Sequence, residues 1–175
     1  MTFFSNDIKQ LKRLKASDTN AFKSLYLKYF EPLYRYIYYQ TYQKELSEDI
    51  LQEVFCRIWE KREQIDPDQS FQAFVYRIAH HLVIDHYRKS SLKKEHLQQI
   101  SFREFVEEQP PVELELTIMN ALNALPFKIR TTFILHRFQN LSYDEIASTL
   151  NISKKTVEYR IGQALEALRQ ALDED

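Results

Sequence analysis

The stretch S-Y-D-E-I-A-S-T-L-N-I-S-K-K-T-V-E at residues 142 to 158 decides how the rest of the chain is read. Ser142 and Glu145 have the spacing of a capping box: the serine oxygen takes the amide of residue 145, and the carboxylate reaches back to the amide of residue 142. That box starts a short helix carrying Ile146, Ala147 and Leu150. Asn151 falls where a tight turn needs a residue tolerant of positive φ, and Ser153 is placed to cap a second helix running to about Leu172. Two helices joined this way make a helix-turn-helix. Small Ala147 lets the helices cross closely, and Ile146, Leu150, Ile152, Val157 and Ile161 supply the shared core.

On the second helix, Val157, Ile161, Ala164, Leu165, Leu168 and Leu172 are expected to face inward. Lys155, Thr156, Tyr159, Gly162 and Gln163 then face outward, near the end that enters a DNA major groove in this motif. A glutamine there can bond adenine through two hydrogen bonds. Gly162 costs the helix about 1 kcal/mol relative to alanine, and it either admits a close phosphate or base edge or is simply tolerated. Upstream, 114 to 125 and 126 to 139 read as two further helices, completing a module at 114–175.

The region before it changes character. Residues 90–113 hold Pro110, Pro111 and the polar run Ser90 to Lys94, which predicts an extended linker. Residues 1–89 carry 14 basic and 12 acidic side chains, 90–115 carry 3 and 6, and 116–175 carry 7 and 7. The overall formal charge of -1 argues against an undifferentiated nucleic-acid binder, but it conceals an acidic middle.

Module 1–89 reads as four helices: 5–16, 18–43, 47–62 and 71–89. The second carries Ala21, Phe22, Leu25, Tyr26, Tyr29, Phe30 and Leu33 at helical spacings, and Pro32 predicts a kink. The cluster Tyr34, Tyr36, Tyr38, Tyr39 and Tyr42 is better explained as core filling than as a platform for bases. The third is expected to open on a Ser47 cap. Its Leu51, Val54, Phe55 and Ile58 face the core, opposite a mostly acidic stripe of Asp49, Glu53, Cys56 and Glu60 flanked by Gln52 and Trp59. An aromatic rimmed by charge favours a partner surface over a merely solvated face. On the fourth helix Phe71, Phe74, Val75, Ile78 and Leu82 are expected inside. Arg77, His81 and Arg88 then form one outward stripe and Tyr76, His80 and Tyr87 the adjacent one. Cations interleaved with flat rings suit single-stranded nucleic acid.

Composition closes off other classes. Gly162 is the sole glycine, so glycine-rich phosphate loops and dinucleotide fingerprints cannot be built. Cys56 is the sole cysteine, which excludes disulfide frameworks and multi-cysteine zinc sites and leads to the expectation of a reducing compartment. The chain has no basic start followed by an apolar stretch and no apolar run of membrane-spanning length, so a soluble cytoplasmic protein without membrane insertion is expected. Neither a cofactor nor a metal is expected, and no enzyme activity. All 175 residues together read as all-α: two small helical domains joined by a flexible linker.

Both modules together resemble the extracytoplasmic-function sigma factors of bacterial RNA polymerase, over about residues 8 to 172. The likeness rests on A-F-K-S-L-Y-L-K-Y-F-E-P-L-Y at 21–34, E-D-I-L-Q-E-V-F-C-R-I-W at 48–59, F-V-Y-R-I-A-H-H-L-V-I-D-H-Y-R at 74–88, A-L-P-F-K-I-R-T-T-F at 124–133 and the opening stretch. The resemblance implies a region 2 domain at 1–89, a linker, and a region 4 domain at 114–175. It implies that Asp49, Gln52, Glu53, Phe55 and Trp59 dock on the clamp helices of the largest polymerase subunit, with the flap region as a further contact. It also implies that the loop at 64–70 and the helix after it, through Tyr76, Arg77, His80, His81, Tyr87 and Arg88, recognise and melt the minus-10 element. Ser153, Lys154, Lys155, Thr156, Tyr159, Arg160 and Gln163 would read the minus-35 element. The partners implied are core RNA polymerase, promoter DNA and an anti-sigma factor or other recruiter.

Two residues depart from the family pattern. His81 stands where asparagine is usual, and Gln163 where a basic residue is common, which weakens the phosphate grip of the second module. Two rival readings remain at this level: a standalone helix-turn-helix regulator that binds duplex DNA without polymerase, and a histidine-dependent metal hydrolase at His80, His81 and Asp85.

Overall fold

The computed structural model describes residues 2–91 and 120–173, with side chains described for 8–89 and 120–172. Among them are helices and turns and no strand. The chain divides into two compact units, residues 1–94 and 95–175. The linker expected at 90–113 lies, from residue 92 onward, outside the described residues, as does the helix start expected at 114.

In the first unit the helices are α1 (Thr2–Lys15), α2 (Thr19–Thr41), α3 (Lys44–Glu60) and α4 (Phe71–Ser91), with a single 3-10 turn at Arg62–Gln64. Helix α2 is the centre, packing against α1, α3 and α4. Its Leu25, Leu33, Tyr36 and Ile37 are almost wholly buried, together with Leu14, Val54, Ile58, Val75 and Val83 from the other three helices. The helix runs through Pro32 without interruption.

Asp18 starts α2 by accepting the amides of Asn20 and Ala21, and Arg13 adds an ion pair at 2.7 Å. The Arg13 hydrogen bond first, then those amides, hold the Asp18 carboxyl below its ordinary value of 3.8. A depressed acid stabilises the fold fully above 3.8, and that stabilisation fades as pH falls through the lowered folded-state value. Asp18→Ala is therefore expected to lower the thermal midpoint at neutral pH, with the gap to the parent closing in acid. Melts followed by circular dichroism from neutral pH to about pH 2 check this, and a gap constant across that range contradicts it.

Helix α3 begins earlier than the Ser47 cap implies. Its N-cap is Gln43, which contributes no side-chain cap, and it follows directly on Tyr42, which ends α2 in the left-handed region at φ 52°. Ser47 is buried inside the helix, where its hydroxyl donates to the Gln43 carbonyl at 2.6 Å and shares a 2.7 Å hydrogen bond with Thr41. A serine that bonds back to a carbonyl four residues earlier sits within a helix rather than at its start.

The second unit contains helical residues 120–124, then α5 (Phe127–Arg137), α6 (Tyr143–Leu150) and α7 (Lys154–Asp173). Leu122, Leu125, Phe133 and Ala164 form a buried cluster, closed by Ile129, Ala167 and Leu168. Ile146 and Val157 are fully buried where α6 and α7 cross. Leu165 and Leu172, expected inside, are 52% and 41% exposed. The inward stripe of α7 is Val157, Ile161, Ala164 and Leu168, and Leu165 falls off its edge.

Candidate functional site

In the first unit an aromatic groove of about 730 Å³ opens between α2 and α3. Phe22, Tyr26 and Phe30 line it from α2 at i, i+4, i+8, and Leu51, Phe55 and Trp59 line it from α3 at the same spacing. The rings form a continuous set: Tyr26 is tilted against Phe55 at 4.5 Å and against Phe30 at 5.3 Å, and Phe22 meets Trp59 edge-on at 5.2 Å and Phe55 at 6.3 Å between centroids. Trp59 is held from the other side by Arg62, whose guanidinium lies 4.6 Å from the ring. Arg62 is itself fixed by bonds to the Trp59 carbonyl and the Ser17 hydroxyl. Arg62 thus clamps the tryptophan.

Asp49, Gln52 and Glu53 are exposed on α3; Gln52 lines the groove together with Glu48 and Cys56, whereas Asp49 and Glu53 lie outside its lining. Glu53 is engaged by Arg57 at 2.7 Å. Asp49 has no ion-pair partner among the described residues, so its charge is available to an external cation. Phe55, implied as a docking residue, is only 6% exposed. It forms the groove floor and supports the surface from below. The sequence reading missed the wall made by Phe22, Tyr26 and Phe30, which it pooled with the core residues. The signal was present: Ala21, Leu25, Tyr29 and Leu33 form one buried row, and Phe22, Tyr26 and Phe30 form a second row beside it. Leu27, 66% exposed, is on α2 as well.

Helix α4 carries the second candidate surface, and here the expected stripes need correction. Tyr76 and His80 are not on the outside: they are 1% and 8% exposed. Tyr76 packs edge-on against Tyr36 at 5.2 Å, and the Tyr36 hydroxyl lies 3.3 Å from His80 Nδ1. Helix α4 packs on both α2 and α3, so its buried sector is wider than one apolar stripe. Burial pushes the Tyr36 and Tyr76 phenols far above their ordinary value, so both are neutral hydrogen-bonding core groups. Tyr87 is half-buried and donates its hydroxyl to the Gln40 carbonyl.

What remains outward is Arg77, half-buried, with His81 and Arg88 exposed, and Ile84 at 38% exposure between them. These four follow i, i+4, i+7, i+11. Ile84 was missed, although that spacing places it on the stripe. Asp85 lies 3.4 Å from Arg88; His80 is buried, whereas His81 is exposed and Asp85 half-buried. Among the described residues no three His, Cys, Asp or Glu gather where they could hold a metal ion. The preceding loop is tightly made: Lys15 donates to the Ile65 carbonyl at 2.8 Å, and Asp66 accepts from the Asp68 amide and the Gln69 side chain.

The third surface is in the second unit. Ser142 and Glu145 form the complete capping box, and Asn151 turns the chain at φ 53°, ψ 52°. Ser153 accepts the Thr156 amide at 3.1 Å and bonds its hydroxyl at 2.8 Å, capping α7 as expected. Lys155, Tyr159 and Gln163 are exposed, Thr156 and Arg160 half-buried. Lys154 is exposed too, but its ammonium is 2.9 Å from Asp144, which ties it to α6. Gln163 donates to the Tyr159 hydroxyl at 2.9 Å.

Residues 25–92 match the model of Sigma-70 region 2, and residues 115–168 match that of Sigma-70 region 4. The chain is 34% identical to the ECF RNA polymerase sigma factor SigW of Bacillus subtilis, over 94% of its own length and 95% of the relative's. Among solved structures it is similar to CnrH in complex with the cytosolic domain of CnrY, with a TM-score of 0.74 at 23% identity, covering 97% of this chain and 98% of that one. It is also similar to the sigma factor RpoE of Bartonella quintana in complex with the anti-sigma factor NepR, with a TM-score of 0.75 at 18% identity, covering 88% and 98%. A helix-turn-helix alone does not separate a standalone regulator from a polymerase subunit, but a region 2 domain ahead of it does. The chain belongs to the extracytoplasmic-function sigma factors, which direct RNA polymerase to promoters.

Proposed function

We propose that the three surfaces divide the work of initiation between them. Core polymerase docks on α3 through Asp49, Gln52 and Glu53, with Trp59 clamped at the groove edge and Phe55 beneath. The single-stranded minus-10 region tracks along Arg77, His81, Ile84 and Arg88. The N-terminal half of α7 enters the major groove of the minus-35 element with Ser153, Lys155, Thr156, Tyr159, Arg160 and Gln163. The observation that carries this reading is a preformed aromatic groove lined from α3 by Trp59, Gln52 and Glu48, on a helix that also exposes Asp49 and Glu53, in a chain that also holds a helix-turn-helix. A merely solvated helix would not need Arg62 to fix a tryptophan at its edge.

Work of this kind takes place where the polymerase is, in the cytoplasm. No helix among the described residues is long and apolar enough to cross a membrane. The chain is a binding factor with no reaction of its own, and it forms base contacts that offset the few kcal/mol needed to extrude a base from the duplex. One solved neighbour is bound to an anti-sigma factor, and a partner of that type is proposed for this chain.

Run-off transcription with purified core polymerase on promoters mapped in cells tests the assignment. Transcripts are expected only when the chain is present. His81→Asn is expected to change the open fraction of those promoters several-fold, read by permanganate reactivity of unpaired thymines. Equal opening by parent and variant removes His81 from the strand-reading surface.

A further inference from the structure

The sole glycine sits in the middle of α7, exposed, and beyond its chain neighbours and the surrounding turns of helix backbone nothing described lies within 4 Å of where a Cβ would be. It does not have positive φ. Neither backbone geometry nor packing among the described residues therefore calls for glycine, and apart from proline it is the poorest helix former. A glycine on this exposed face leaves room for an outside group to approach the backbone more closely than a methyl group would allow.

What flanks it gives the chemistry. Tyr159 is 64% exposed, three residues before Gly162 and on the same side of the helix. Gln163 is exposed on the other side of Tyr159 and is held by it, Nε2 to Oη, at 2.9 Å. A glutamine amide has two N–H groups and one carbonyl oxygen. With one N–H given to Tyr159, the other and the oxygen remain, which is the set that bonds adenine at N7 and N6 in the major groove. Tyr159 accepts from Gln163 and keeps its own O–H to donate to thymine O4 or to guanine N7 or O6. The bond also holds a long side chain that would otherwise lose rotamer freedom on binding.

We propose that Tyr159, Gly162 and Gln163 form a prearranged reading facet. It selects adenine at one minus-35 position and a hydrogen-bond acceptor at the next, and Gly162 supplies the clearance for the base edge. The proposal rests on the assignment of α7 to the minus-35 element made above.

The test uses the full-length chain with core polymerase and a promoter library randomised through the minus-35 element, read by sequencing transcripts. The parent is expected to prefer adenine about 10-fold at one position. Gln163→Ala should abolish that preference alone. Tyr159→Phe, which keeps the ring and removes the hydroxyl, should weaken it several-fold and also flatten the adjacent position. Gly162→Ala should raise the thermal midpoint of the free protein yet reduce use of the whole element, a crossed result that a tolerated glycine does not give. Unchanged preferences in Gln163→Ala and Tyr159→Phe, or Gly162→Ala transcribing like the parent, overturn the facet while leaving the sigma-factor assignment intact. A parent holoenzyme that transcribes without any minus-35 preference overturns the placement of α7 and the facet with it.

Discussion

Asp49→Arg is expected to abolish capture of core RNA polymerase in pull-downs while leaving the protein folded. Asp49 is exposed, and no described cation pairs with it, so reversing its charge breaks nothing inside the chain. Surface substitutions of this kind stay within about 0.5 kcal/mol of the parent in stability. Against a basic partner surface the same change turns an attraction into a like-charge contact costing several kcal/mol. At about 1.4 kcal/mol per decade, 3 kcal/mol is roughly a 100-fold loss of affinity. Trp59→Ala also weakens docking but is a poorer probe. The ring packs on Phe22 at 5.2 Å and under Arg62 at 4.6 Å, so its removal costs fold stability as well. Binding by Asp49→Arg at parental strength, measured at low and moderate salt, makes this side of α3 a solvated face and sinks the docking assignment.

The fold was most legible where structure is written in adjacent residues. The capping box, the left-handed Asn151 and the Ser153 cap lie within twelve positions, and each acts on a backbone group a few residues away. The start of α3 was not legible in the same way. The break before it comes from Tyr42 in the left-handed region, a residue type that does not advertise such a turn. Ser47 looks like a cap by composition, but its partners are Thr41 and the Gln43 carbonyl, inside the packed α2–α3 corner. Tyr76 and His80 failed for a tertiary reason. A helical wheel assigns one buried face, whereas α4 packs on two neighbours at once, and the Tyr36 hydroxyl gives the His80 ring a polar contact inside. The aromatic groove needed the structure too, because periodicity alone does not show that two adjacent rows on α2 face different surroundings. Leu165 and Leu172 mark a similar limit, since α7 has 20 residues and its partners α5 and α6 have 11 and 8.

Ile146→Ala is expected to separate the two units by function. Ile146 is fully buried where α6 crosses α7, and truncating an isoleucine in such a site costs about 2–5 kcal/mol. The second unit is small, and a core of that size supplies a margin of only about 3–5 kcal/mol. The substitution therefore consumes most or all of that margin, and the face of α7 loses its fixed orientation. The first unit has its own core, built on α2. Pull-downs with core polymerase should therefore retain the variant, whereas transcription from promoters that depend on the minus-35 element should fall at least 10-fold. Thermal unfolding should show an early transition for residues of the second unit, read by protease cleavage between 120 and 173, with the first unit melting as in the parent. Simultaneous loss of polymerase capture means that the second unit is itself required for docking. Unchanged promoter use means that α7 does not depend on the α6 crossing for its orientation.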